Sequence, residues 1–253
     1  MFSFLQKKEA PPLTPPRQEI STLYADMAAQ PHLLVAGATG SGKSVVVNGI
    51  VHALLFRASC DVEGGARFIL IDPKRVELSA FKGCPHTVLY ASEPGTMLSA
   101  LYKAMDITED RYKRMQQEGT KKYSGADLYI IIDEFADLMT TQKRAVQPLI
   151  QRLAQIGRAA KVHLIVCTQT PIAKVLPTEI KCNFDARLGL RTRSAQDSRN
   201  ILGYSGLENL PRYGQGIYMK PEGDTRYNIP MVSDEDMDEM LKYQYEMKRR
   251  LKK

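Results

Sequence analysis

The segment Gly37-Ala38-Thr39-Gly40-Ser41-Gly42-Lys43-Ser44 constrains this chain more than any other stretch. It is a complete G-x-x-x-x-G-K-[ST] match, and its flanks are those the motif needs. Leu33, Leu34, Val35 and Ala36 before it read as a buried strand. Val45, Val46, Val47, Ile50, Val51 and Leu54 after it keep an apolar face at helical spacing. A glycine loop between strand and helix can turn successive backbone N–H groups onto one anion, and the helix N-terminus adds partial positive charge there. The expected nucleotide-binding set is Gly37, Ala38, Thr39, Gly40, Ser41, Gly42, Lys43, Ser44 and Val45. Lys43 would reach the outer phosphates and Ser44 would hold Mg2+, so ATP with Mg2+ is the expected ligand pair.

The rest of the chain alternates strands with helices. "ARFILID" (66–72), "TVLY" (87–90), "DLYIIID" (127–133) and "VHLIVCT" (162–168) read as strands, several apolar on both faces. Residues 94–118 read as a long helix capped by Ser92, with a charged, solvated second half. Residues 142–160 read as an amphipathic helix, and 234–253 as a charged one. That order predicts an α/β fold, a mostly parallel sheet with helices on both faces. The expected layout is a disordered proline-rich leader over 1–19, one ATPase domain over 20–232 and a charged C-terminal helix over 233–253.

Composition adds limits. No run is long and apolar enough to span a membrane, and the start is too polar for a signal peptide. Cys60, Cys84, Cys167 and Cys182 show no C-x-x-C spacing, which suits reduced thiols and a cytoplasmic protein. Lys and Arg outnumber Asp and Glu, 35 to 28, a balance of +7 that suits a polyanionic partner.

Two acids, Asp133 and Glu134, end the "LYIIIDE" strand. This is the Walker B arrangement: an Asp for Mg2+ and a Glu to take a proton from the attacking water. The glutamate, with an extra strand between the two motifs, points to ATPases that do mechanical work. Gln169, after the next apolar strand, is placed to sense the γ-phosphate. Arg158, in "QIGRAAKVH", admits two readings from spacing alone. It either satisfies carbonyls at a helix end or reaches the phosphates of a neighbouring subunit.

"PHLLVAGATGSGKSVVVN", "FILIDPKRVELSAF", "YIIIDEFADLM", "LIQRLAQIGRAAKVHLIVCTQTP" and "DSRNIL" resemble, in order and spacing, the FtsK/SpoIIIE-type DNA translocase motor. The resemblance runs from about Pro31 to Ile201. It implies a RecA-like P-loop ATPase that forms a hexameric ring around double-stranded DNA. It makes Lys43, Glu134 and Gln169 catalytic, with Arg158 a trans arginine finger. It gives Lys74 of the D-P-K run a role that it does not specify. It places Lys181 and Arg199 on two loops facing the DNA channel.

The chain departs from the family pattern at several points. "TQTP" puts Thr170 where the family has an arginine, Ala195 replaces a basic residue, and "YGQG" lacks the family's acid. Arg191, Arg193 and Lys174 are the nearby cations that could replace the lost charge. The membrane helices and sequence-reading domain of chromosome-partitioning members are not visible, which suits either a compact member or an excised motor. The rival readings are a conjugative coupling ATPase, a protein-secretion motor ATPase, and a nucleotide-binding regulatory module.

Overall fold

The computed structural model describes residues 30–57 and 65–251. The leader, Cys60 and the last two lysines lie outside the described residues. The central sheet has eight strands in the order β3-β2-β4-β5-β1-β6-β7-β8. They are β1 (Leu33–Ala36), β2 (Ala66–Ile71), β3 (Thr87–Ala91), β4 (Asp127–Ile132), β5 (Val162–Thr168), β6 (Ala186–Leu190), β7 (Gln215–Met219) and β8 (Thr225–Asn228). The first six run parallel, and β7 and β8 add an antiparallel edge. As expected of the mechanical ATPases, β5 lies between the strand of the glycine loop and the strand of the acid pair.

Seven helices surround the sheet among the described residues. They are α1 (Lys43–Arg57), α2 (Pro94–Glu118), α3 (Phe135–Thr141), α4 (Lys143–Ile156), α5 (Thr178–Lys181), α6 (Ala195–Leu202) and α7 (Asp234–Leu251). Strand alternation sends side chains to two separate cores. Leu34, Ile69, Ile130, Leu164 and Val166 pack with Leu101, Leu138 and Leu153 of α2, α3 and α4. Leu33, Phe68, Tyr129, Ile131 and Ile165 pack with Ile50 and Leu54 of α1 and Met240 of α7. All seven residues of β5 are buried, as a strand covered on both faces requires.

Several sequence-based expectations change. The cap of α2 is Glu93, which forms a capping box with Thr96 ahead of Pro94; Ser92 is one residue too early. The second half of α2 is only partly solvated, because Arg111 and Met115 are buried. Arg111 donates to the carbonyls of Ala160, Lys161 and Ala126 and stacks over Tyr123. The helix read over 142–160 ends at Ile156, and Arg158 lies in the turn beyond it. Lys181 and Arg199 belong to α5 and α6 and not to loops.

His32, just before β1, ties two of these elements together. Its Nδ1 accepts from the Leu164 N–H and its Nε2 donates to the Ala154 carbonyl of α4. Only a neutral ring can do both. Burial, reinforced by nearby His163, pushes its pKa down to about 4 from 6.5, against the pull of the Ala154 hydrogen bond. The folded value lies below the unfolded one, so the unfolded chain takes up the proton first. The contribution of His32 is therefore whole above pH 6.5 and lost as pH falls towards about 4. Between pH 7 and pH 5 it should cost about 2 kcal/mol of stability. Urea midpoints at the two pH values should show this loss in the wild type. His32→Gln, less stable at pH 7, should show a correspondingly shallower decline; an equal decline would contradict the assignment.

Candidate nucleotide site

The glycine loop leaves β1 at the carboxyl edge of the sheet. Gly37 N donates to the Thr168 carbonyl at 3.3 Å and Ala38 N to the Arg191 carbonyl at 2.8 Å, so both flanking strands hold the loop. A Cβ on Gly37 would lie 2.7 Å from Leu190 Cβ and from Ser41 Oγ, which excludes any side chain there. Gly42 has φ +97, a conformation that L side chains rarely adopt, and it opens α1 with Lys43.

Lys43 is buried, with Nζ 3.8 Å from Asp133 Oδ1. Asp133 is 1 % exposed, and neither of its carboxylate oxygens accepts a hydrogen bond from the described residues. Burial raises its pKa; Lys43 opposes this, and Glu77 and Asp72 add to it. Such an acid calls for a positive partner. Ser44 is linked to it through Glu77, whose charge acts on Asp133 and whose Oε1 accepts from the Ser44 hydroxyl at 2.6 Å. This all-oxygen donor set fits a hard divalent cation of the Mg2+ kind. Among the described residues no three His, Cys, Asp or Glu side chains cluster as a metal cage. That is compatible with an ion that keeps its waters and takes substrate phosphates as ligands.

Glu134, next in sequence, is held on several sides. Lys74 Nζ lies 3.1 Å from its Oε2. Thr168 Oγ1 donates to its Oε1 at 2.9 Å, and the Gln169 N–H donates to both oxygens at 3.2 and 3.3 Å. The side chain of Gln169 turns to the glycine loop, accepting from Thr39 Oγ1 at 2.8 Å. The expected base and the expected sensor therefore share one backbone junction at the end of β5.

The D-P-K-x-x-E-L run marks Lys74 and Glu77 in the sequence without giving either a role, and nothing there points to Thr168. The loop after β2 carries the first two to the site. Asp72 Oδ2 accepts from the Leu78 N–H at 3.0 Å, closing the loop. Lys74 then faces Glu134 and Glu77 faces Ser44. The D-P-K-x-x-E-L spacing was the available signal, but its partners lie far along the chain.

The remaining candidates separate. Arg158 is at the opposite edge of the sheet from its own glycine loop. The seven residues of β5 between them cover about 20 Å at ~3.3 Å per residue. The carbonyls around Arg158 are already bonded: Ala154 to His32, Ile156 to Tyr112, Ala159 to the Tyr123 N–H, and Ala160 and Lys161 to Arg111. Among the described residues its exposed guanidinium caps none of them. Lys181 is half-buried and donates to the Asn200 carbonyl at 3.2 Å, while Arg199 is exposed. Arg191 and Arg193 are exposed and line a cavity with the glycine loop. Lys174 is exposed.

Among the described residues no helix is long and apolar enough to cross a membrane. The chain is 35% identical over 265 residues to the DNA translocase FtsK of Rickettsia bellii, covering 87% of this chain and 35% of that protein. It is 36% identical over 259 residues to DNA translocase FtsK 1 of Neisseria meningitidis serogroup B, covering 87% and 31%. The chain thus spans about a third of the length of these curated relatives. In fold it is similar to the pCW3 conjugation coupling protein TcpA with ATPγS: TM-score 0.74, 24% identity, 87% of this chain and 66% of that one. It is also similar to the cytoplasmic domain of the type VII secretion ATPase EccC of Thermomonospora curvata: TM-score 0.72, 25% identity, 85% and 28%. The FtsK/SpoIIIE family matches over residues 6–130 and 125–173, taking in the glycine loop, the D-P-K loop, the acid pair and Gln169, and the chain belongs to that family.

Proposed function

We propose that this chain is an ATP-hydrolysing motor domain that moves double-stranded DNA, working as a ring of copies, most simply a hexamer. The observation that carries the reading is the Asp133–Glu134 pair. One member is buried without hydrogen bonds, and the other is oriented by Lys74, Thr168 and Gln169. A nucleotide switch would not need the second acid.

The loop N–H groups and Lys43 bind the triphosphate. Ser44 and Asp133, with Glu77 behind Ser44, would hold Mg2+, which when bound neutralises phosphate charge. Glu134 takes the proton of the attacking water, with Thr168 and the Gln169 N–H fixing its angle. Gln169, joined to Thr39, registers whether the outer phosphate is present. Arg158 of one copy reaches the phosphates held by the next. DNA as substrate rests on family membership and on the named activity of the relatives. DNA contacts fall to Arg199, with Lys181 holding α6 through Asn200.

ATPase rates with duplex, single strands and peptide test the whole reading. Duplex should stimulate most; stimulation by peptide or by single strands alone would favour a secretion or coupling motor. Lys43→Ala should abolish hydrolysis. Glu134→Gln should keep ATP binding and lose turnover by about 100-fold or more; a loss under about threefold would remove Glu134 as the base. Arg158→Ala subunits with an intact loop, mixed with Lys43→Ala subunits that keep Arg158, should regain activity that neither has alone. No recovery at any ratio would rule out a finger acting between copies. Arg199→Ala should keep basal turnover, lose duplex stimulation and reduce the slope of log affinity against log salt by about one. An unchanged slope would place the DNA surface elsewhere.

A further inference from the structure

Charge around the glycine loop is unevenly divided. On the side of β4 and β5, two ammonium groups, Lys43 and Lys74, face four carboxyl groups: Asp72, Glu77, Asp133 and Glu134. A bound divalent cation would balance that wall and leave little positive charge for a triphosphate. The other wall, on the side of β6, is different. There Ala38 to Ser41 border a cavity of about 460 Å3 whose far side carries Arg191, Arg193 and Arg212 against the single acid Glu208. Arg193 also lines a second cavity, of about 280 Å3, with Thr39, Gln169 and one further acid, Asp197.

Each arginine is placed by the fold. Arg191 is fixed to the loop by the hydrogen bond from Ala38 N to its carbonyl. Arg212 stacks over Tyr213, and a Cβ on Gly40 would lie 3.7 Å from its terminal nitrogen. Glu208 accepts from the Gly206 N–H at 2.8 Å. No acid among the described residues forms an ion pair with any of the three arginines.

We propose that Arg191, Arg193 and Arg212 form a phosphate clamp acting in the same subunit, which closes on the terminal phosphate of the nucleotide in the glycine loop. This rests on the motor reading above and adds three binding residues to it. Planar guanidinium groups suit the work, since each offers paired N–H donors to phosphate oxygens. The clamp distinguishes ATP from ADP at the wall facing away from the catalytic acids. It also gives Arg191 and Arg193 a task other than holding DNA.

The experiment is calorimetric binding of ATPγS and of ADP, with Mg2+ and without DNA. It compares wild type, Lys43→Ala, the triple variant Arg191→Ala/Arg193→Ala/Arg212→Ala and the corresponding triple lysine variant. The alanine variant should bind ATPγS about tenfold more weakly or worse and ADP less than about threefold more weakly, with lysine recovering part of the loss. Retained ADP binding shows that the fold and loop are intact. ATPγS affinity within about twofold of wild type overturns the clamp. So does equal weakening of both nucleotides, which would mean contact with inner phosphates only. Unchanged nucleotide affinity, beside weaker duplex binding by the same alanine variant in a separate duplex titration, also overturns it and assigns the arginines to DNA. A wild type that bound neither nucleotide would overturn the motor reading together with the clamp. A wild type that bound both, beside an alanine variant that bound them as tightly, would overturn the clamp alone.

Discussion

Three acids are buried at the carboxyl edge of the sheet, Asp72, Asp133 and Glu134, at 0, 1 and 3 % exposure. Ionised carboxyl groups leave water at high cost unless hydrogen bonds or cations replace it. Most of the local architecture answers that requirement. Asp72 takes the Leu78 N–H, which folds the loop after β2 back over the edge. That fold brings Lys74 to Glu134, where Thr168 and the Gln169 N–H complete its surroundings. Asp72 keeps one oxygen unbonded, but Asp133 is left shortest: neither of its oxygens accepts a hydrogen bond, and Lys43 stands 3.8 Å away. Two adjacent acids thus receive opposite treatment. One is held in place by hydrogen bonds and the other is not, a difference that the proposed roles of proton acceptor and metal ligand would use.

The parts of this arrangement that could be read from sequence are those whose function lies in local geometry. The glycine loop needs its strand, its positive φ angles and its helix within a few consecutive residues. The acid pair needs only a buried strand ending in two carboxyl groups. Ser44–Glu77 and Lys74–Glu134 are instead 33 and 60 residues apart, and no periodicity reports them. The same limit applied to Arg111. Its charged neighbours suggest solvent, whereas three backbone carbonyls from two other segments take it into the interior. Strands β6 to β8 were illegible for another reason. Arg187 and Gly189 interrupt the apolar run of β6, and most of β8 is exposed at the sheet edge. Short, half-solvated edge strands carry too few apolar positions to show a period.

A parallel sheet has two chemically different edges, and this chain uses both. Loops at the carboxyl edge gather the nucleotide apparatus, while the turns at the amino edge hold Arg158. A covered sheet is rigid, so the roughly 20 Å between the edges cannot be closed within one chain. The amino edge is built so that Arg158 stays available. His32, Tyr112, Tyr123 and Arg111 take the carbonyls of the helix end and turn, a task otherwise open to a basic side chain at that position. Burying Arg111 costs desolvation, which its three carbonyls offset, and the result is a turn bonded without its exposed arginine. On the proposed reading that expenditure has a mechanical sense. A finger serving a neighbour's phosphates must be rigidly based yet chemically unengaged until the neighbour arrives. On that same reading the two ends of one sheet, one needing positive charge and the other offering it, would draw copies together, and the sheet between them would carry movement of one site to the next.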